Sequence, residues 1–188
     1  QMAATAEQRA AGARELATML GALNGLPKPL IGRVQGQAFG GGIGMMSVCD
    51  VAIGVEGCKF GLTETRLGLI PATISPYVIK RMGEAMARRV MMSARLFDST
   101  EAQALGLLAA VVPSKDLDSA IEAEVTPYLS VAPRAVEKTK RLIRGQGGAI
   151  SQEQIEASIA ALVEAWEDAE SETGINAFFA KEKAPWVR

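Results

Sequence analysis

Residues 40–42 are three consecutive glycines, followed by Ile43, Gly44 and an apolar run to Cys49. Adjacent glycines cost conformational entropy on folding, so keeping them needs a reason. One reason is packing, a helix pressed close against a strand. Another is chemical. The first N–H groups of a helix have no intrahelical partner, and the helix dipole adds positive potential there. With no side chains in the way, such groups can hold a carbonyl oxygen that gains negative charge during a reaction. Removing one donor of that kind typically costs about 2.7–4 kcal/mol of transition-state stabilisation. A phosphate cradle fits less well: no Lys-Ser/Thr pair follows Gly44, and the dinucleotide spacing GxGxxG is absent.

Acid–base chemistry is constrained by a missing residue type. The sequence contains no histidine, which excludes Ser-His-Asp and Cys-His nucleophiles and histidine-ligated metal within this chain. Proton transfer then falls to Glu, Asp, Lys, Tyr or Cys. Glu64, in "KFGLTETRLGLIP", stands among Phe60, Leu62, Leu67 and Leu69. Apolar neighbours would raise its pKa toward a useful range; on its residues alone it reads more readily as a solvated carboxylate in the first turn of a short helix. Arg66, Lys80 and Arg81 either meet an acidic group of a ligand or are surface cations. Lys181, in Lys181-Glu182-Lys183, reads as part of a solvated charge cluster. Cys49 and Cys58 have no metal-ligand spacing and read as free thiols in a reducing compartment.

The elements that must position these residues follow from periodicity and breakers. Residues 1–24 predict a helix, ended by Asn24-Gly25 and by Pro27 and Pro29. Strands are expected over 30–34, 50–55 and near 59–62, and a helix over 43–49. Helices follow over 75–82, 83–92 and 99–105, the last with Ser99 as N-cap, then a strand within "GLLAAVVP". Beyond Pro113 three helical stretches are expected, 116–129, 133–144 and 151–171. Ser151–Gln154 is a capping-box pattern, and Ile155, Ile159, Leu162 and Trp166 mark one face behind it.

With 188 residues, 48% hydrophobic and a net charge of −1, the chain can form a full core. It lacks the basic excess of a nucleic-acid binder. No apolar run reaches the roughly 18 residues that span a bilayer, and the first residues do not resemble a signal peptide. Neither nucleic acid nor membrane is expected as a partner, and a cytoplasmic location is expected.

Three stretches together, "KPLIGRVQGQAFGGGIGMMSVCDVAIG", "FGLTETRLGLIP" and the closing "GINAFFAKEKAPW", resemble the crotonase superfamily of enoyl-CoA hydratases and isomerases. "LGLIPATISPYVIKRMGEAMARRV" is similar to bacterial methylglutaconyl-CoA-type hydratases in particular. The resemblance implies an α/β fold, a spiral of ββα units over 1–113, with a C-terminal helical trimerisation region over 114–188. It implies a homotrimer or homohexamer acting on an acyl-CoA thioester, with no separate cofactor. It assigns Gly41 an oxyanion-hole N–H, Gly40 and Gly41 contact with the substrate, and Glu64 the proton transfers. Lys181 is implied near the CoA end, in some cases from a neighbouring subunit. Two departures stand out. Members of the family carry an AGADL-like loop, the source of a second oxyanion N–H, in a segment that would precede residue 1. A second family glutamate aligns with Gly44, so a single carboxylate would act alone or share the task with a water lodged beside Gly44. The implied activity is hydration of an α,β-unsaturated acyl-CoA, in the degradation of fatty acids or of branched amino acids such as leucine. The alternatives are Δ3,Δ2-enoyl-CoA isomerisation and a non-catalytic acyl-CoA-binding paralogue.

Overall fold

The structure is a computed structural model in which residues 5–187 are described. Helix α1 (Ala6–Gly25) leads into β1 (Ile31–Val34), β2 (Ala38–Phe39), α2 (Gly41–Val48), β3 (Val51–Val55) and β4 (Lys59–Gly61). A 3-10 turn (Glu64–Leu67) precedes α3 (Ser75–Met82), α4 (Glu84–Met91), β5 (Phe97–Asp98), α5 (Ser99–Ala104) and β6 (Ala110–Val112). The rest is helical: α6 (Leu117–Val125), α7 (Pro133–Gln146), α8 (Gln152–Glu167) and α9 (Ala169–Ala180).

The six strands divide between two three-stranded sheets. The first is parallel in the order β1-β3-β6, with Ile31 opposite Val51 and Ile53 opposite Ala110. The second has the order β2-β4-β5, with β2 parallel and β5 antiparallel to β4. The runs β1-β2-α2 and β3-β4-α3 are two ββα steps of the expected spiral. Phe60 on β4 and Phe97 on β5 stack at 6.0 Å between ring centroids in the core they share with Ile43, Ile53, Val78 and Leu108.

Helix α1 starts at a capping box: Gln8 N donates to Thr5 Oγ1 at 3.2 Å, and Thr5 N donates to Gln8 Oε1 at 2.9 Å. Ala13, Ala17 and Leu20 are its buried stripe. The small side chains of Ala13 and Ala17 let α8 approach, and Ile159 fills the joint. Arg9 donates to Glu167 at 2.7 Å and lies over the Trp166 ring at 4.9 Å, tying the far ends of α1 and α8. Helix α8 therefore packs along α1.

Several elements differ from the sequence-based expectation. Helix α2 begins at Gly41, inside the glycine run, because the backbone itself closes the first turn: Ile43 and Gly44 donate to the Gly40 carbonyl at 2.9 and 3.2 Å. The N-cap of α5 is Asp98, whose carboxylate accepts from Glu101 N at 2.8 Å. Ser99, expected to be that cap, is 2% exposed and instead donates to the Val55 carbonyl at 2.7 Å. The helix expected over 116–129 ends at Val125 and continues as a 3-10 turn, Thr126–Ser130. The helix expected over 151–171 breaks at Asp168, which is extended (ψ 140°) and caps α9 through Glu170 N. Ser171 locks that corner by donating to the carbonyls of Trp166 and Asp168, both at 2.9 Å. The two-residue strands β2 and β5 were too short to leave a periodic signal.

Candidate active site

Two parallel strands bring the glycines to the acid. Ala38 lies opposite Phe60 and Phe39 opposite Gly61. The ladder extends one step further, where Gly40 N donates to the Gly61 carbonyl at 3.1 Å. Both chains then turn in the same place, one into α2 and the other into the 3-10 turn that begins at Glu64. Gly40 adopts φ 49°, ψ −115°, a region that side chains disfavour. A Cβ on Gly40 would stand 2.8 Å from Glu64 Oε1. The carboxylate thus rests on the bare Cα of the first glycine.

The other glycines have different reasons. At Gly41 an added Cβ would meet nothing within 4 Å, so the start of α2 opens onto free space. Its N–H, two residues ahead of Ile43, which donates to Gly40, lies among the helix-start donors that have no intrahelical partner. At Gly42 a Cβ would stand 3.2 Å from Ala38 Cβ, a packing contact with β2. At Gly44 it would stand 2.5 Å from Ile74 Cγ2 and 3.0 Å from Ile74 Cβ.

Gly41 and Glu64 line one cavity of about 520 Å³, together with Arg9, Leu69, Thr73 and Trp166. Native interiors leave few polar atoms without partners. Three residues that line this cavity carry such an atom: Glu64 (Oε2), Thr73 (Oγ1) and Arg9 (Nε). Burial pushes the Glu64 carboxyl above its ordinary range, partly offset by a bond from its own main-chain N–H. Glu64 is therefore a carboxylate held ready to take up a proton.

The turn that carries Glu64 is held from behind by α9. A Cβ on Gly68 would stand 2.4 Å from the Glu170 carbonyl carbon, and one on Gly174 would stand 2.6 Å from that of Leu67. Only glycine on each side allows this approach. Gly68 also closes the turn at φ 70°.

Of the residues singled out from the sequence, Gly41 and Glu64 come together. Gly40 lies beside them, yet its N–H is engaged by Gly61, so it supports the carboxylate and is no donor for a substrate. Gly44 is buried in α2, away from the cavity, and Ile74 fills the space in which a water was expected. Lys181 is exposed at the left-handed end of α9 (φ 58°) and does not line the cavity of this chain. Lys80 and Arg81 line a different cavity, and Arg66 is exposed. Sequence reasoning missed Arg9, Thr73 and, as a cavity residue, Trp166. Arg9 and Trp166 are too far apart in the chain for any local pattern to pair them.

Comparison with known proteins fits this geometry. The family described as enoyl-CoA hydratase/isomerase matches residues 1–188. An enoyl-CoA hydratase of Alternaria alternata is 35% identical over 130 residues, 69% of this chain and 44% of its own length. The mitochondrial methylglutaconyl-CoA hydratase of Rattus norvegicus is 38% identical over 88 residues, 46% of this chain and 28% of its own length. The chain thus spans less than half the length of either relative. The crystal structure of an enoyl-CoA hydratase from Mycobacterium avium superposes with a TM-score of 0.88 at 26% identity, covering 97% of this chain and 72% of that one. A crotonase spiral, a glycine-headed helix start beside a half-buried carboxylate, and a family match from end to end have one common source: the chain belongs to the enoyl-CoA hydratase/isomerase family.

Proposed function

We propose that this chain carries the reaction centre of an enoyl-CoA hydratase that adds water across the C2=C3 bond of an α,β-unsaturated acyl-CoA thioester. The observation that carries this reading is that Glu64, with its buried Oε2 unpartnered, and Gly41, at the head of α2, line one cavity. As water attacks C3, the thioester carbonyl becomes enolate-like. Gly41 N–H supplies an electrostatic hold that strengthens as that charge grows. The Glu64 carboxylate accepts the proton that water loses, and the resulting acid returns a proton to C2, so one group serves both halves of the addition. Its raised pKa brings the two protonation states closer in energy near neutral pH.

The acyl chain we assign is branched or carboxylated. Arg9 is the cation lining the cavity, its Nε buried without a partner, which suits a second carboxylate on the acyl group. The name of the rat relative points to a substrate of the same class.

The test is loss of the conjugated-thioester absorbance when the full-length protein meets crotonyl-CoA or 3-methylglutaconyl-CoA, with Glu64→Gln as control. Turnover in the parent and its loss in the variant support the reading; equal rates in both remove Glu64 from the mechanism. A second reading, Δ3,Δ2-enoyl-CoA isomerisation, is favoured by the packing of Ile74 against Gly44, which leaves no room for a second acid there. One base suffices for a 1,3-proton shift. A 3-hydroxyacyl product means hydration and a shifted double bond means isomerisation. Tight binding of both esters without turnover would mean a non-catalytic paralogue.

A further inference from the structure

We propose that the molecule has a second ligand site, for an amphipathic anion with a carboxylate head and an alkyl chain, at the end of α2 opposite Gly41. The inference does not depend on the hydratase reading. A cavity of about 910 Å³ lies between the C-terminal end of α2 (Ser47–Asp50), α3 and α7. That volume is in the range of small-molecule sites. Helix α2 has eight residues, so at about 1.5 Å per residue the two cavities are separated by roughly 12 Å of helix.

The head of the ligand is defined by three side chains. Tyr77 is 3% exposed and is among the residues lining the cavity. Arg81 is half-buried, and its Nε is buried with no partner. Arg144, also half-buried, reaches in from α7 and lies close enough to Tyr77 to oppose the upward push of burial on its phenol. Neither arginine forms an ion pair among the described residues. The neighbouring lysines are engaged: Lys140 pairs with Asp50 at 2.6 Å and donates to the Lys28 carbonyl at 3.0 Å, and Lys80 donates to the Gly148 carbonyl. Two guanidinium groups with no carboxylate partner on one cavity wall call for an anion, and the planar guanidinium fork matches a carboxylate.

The rest of the wall is apolar. Val48, Tyr128, Val136, Ile143 and Ile150 line it from α2, the 3-10 turn after α6, α7 and the loop that follows. Hydrocarbon on one side and a paired cationic head on the other fit a single charged group on an alkyl tail. A polyphosphate would leave these apolar walls without a partner.

Calorimetric titration of the full chain with dodecanoate, below its micellar concentration, tests the site. Dodecanol and acetate serve as probes lacking the charge and the chain. The expected result is one equivalent of dodecanoate bound, with dodecanol and acetate each at least tenfold weaker. The double variant Arg81→Gln/Arg144→Gln should lose at least tenfold while its thermal midpoint and enoyl-CoA turnover stay unchanged. If that variant does not fold, Arg144→Gln alone, on the outer helix, should weaken binding at least threefold. Equal binding of dodecanol, unchanged affinity in the arginine variants, or displacement of dodecanoate by excess crotonyl-CoA would each overturn the proposal. Absence of turnover with any enoyl-CoA would count against the hydratase reading and leave this binding result unaffected.

Discussion

Gly174 on α9 lies against the main chain of Leu67, so closely that a Cβ at residue 174 would stand 2.6 Å from the Leu67 carbonyl carbon. Leu67 ends the 3-10 turn that begins with Glu64, so this contact holds the proposed acid from behind. Gly174→Ala must drive the two segments apart. Overpacking of this kind costs about 1–3 kcal/mol. The expected outcome is a lower thermal midpoint together with a fall in kcat for hydration that exceeds the change in KM, because the carboxylate moves while the rest of the cavity stays. Steady-state kinetics alongside thermal unfolding separate the two effects.

Glu64 is expected to trade stability for chemistry. Its carboxyl pKa is raised in the folded chain by burial. A raised folded-state value means that its contribution to stability is fully present below the unfolded pKa and is lost as pH rises through the folded one. Glu64→Gln, neutral throughout, should therefore unfold at a higher temperature than the parent at pH 7–8, and the difference should vanish near about pH 4. Hydration should fall by about 10²–10⁴-fold in the same variant. In the parent, the acidic limb of kcat/KM should lie above the ordinary carboxylate range.

Arg9 should govern the choice among acyl groups. Arg9→Gln removes the cation facing the cavity and also its pair with Glu167. A charge-assisted bond to a carboxylate is worth about 1.5–3 kcal/mol. KM for 3-methylglutaconyl-CoA should rise at least tenfold, whereas that for crotonyl-CoA should change less than threefold. Equal changes for both substrates would assign Arg9 to holding α8 on α1 alone.

Gly44 and Ile74 should show strong energetic coupling. In most helices Gly→Ala is favourable by about 0.5–1 kcal/mol. Here the added Cβ would stand 2.5 Å from Ile74 Cγ2, and Ile74 is 3% exposed, so Gly44→Ala should destabilise. Ile74→Ala alone should cost about 2–5 kcal/mol. The double variant should lose less than the sum of the two, since each change makes room for the other. Urea unfolding of the four proteins measures the coupling.

The order of strands and helices was largely legible in the sequence. Breakers such as Pro27 and Pro29, the capping box at Ser151 and the four-residue repeats of the C-terminal helices act over a single turn, and local backbone preferences need nothing more. The helix break at Asp168 was not legible, because no proline or glycine marks it and it shows only in the packing of α9 against the Glu64 turn. Glu64 stood out by its apolar neighbours, and the glycine run by its rarity.

What each of these residues does was decided by tertiary structure. The amino-acid sequence alone determined that this chain has no histidine, that a glycine-headed helix follows a strand, and that an acid lies in an apolar segment downstream. It could not say that Gly40 would lie beneath Glu64, that Ile74 would fill the space beside Gly44, or that Arg9 and Trp166 would meet at the cavity wall. Those contacts join segments far apart in the chain. They exist because strand register and helix packing, each set by the burial of many side chains at once, bring particular atoms within a few ångströms. No window of neighbouring residues encodes that sum.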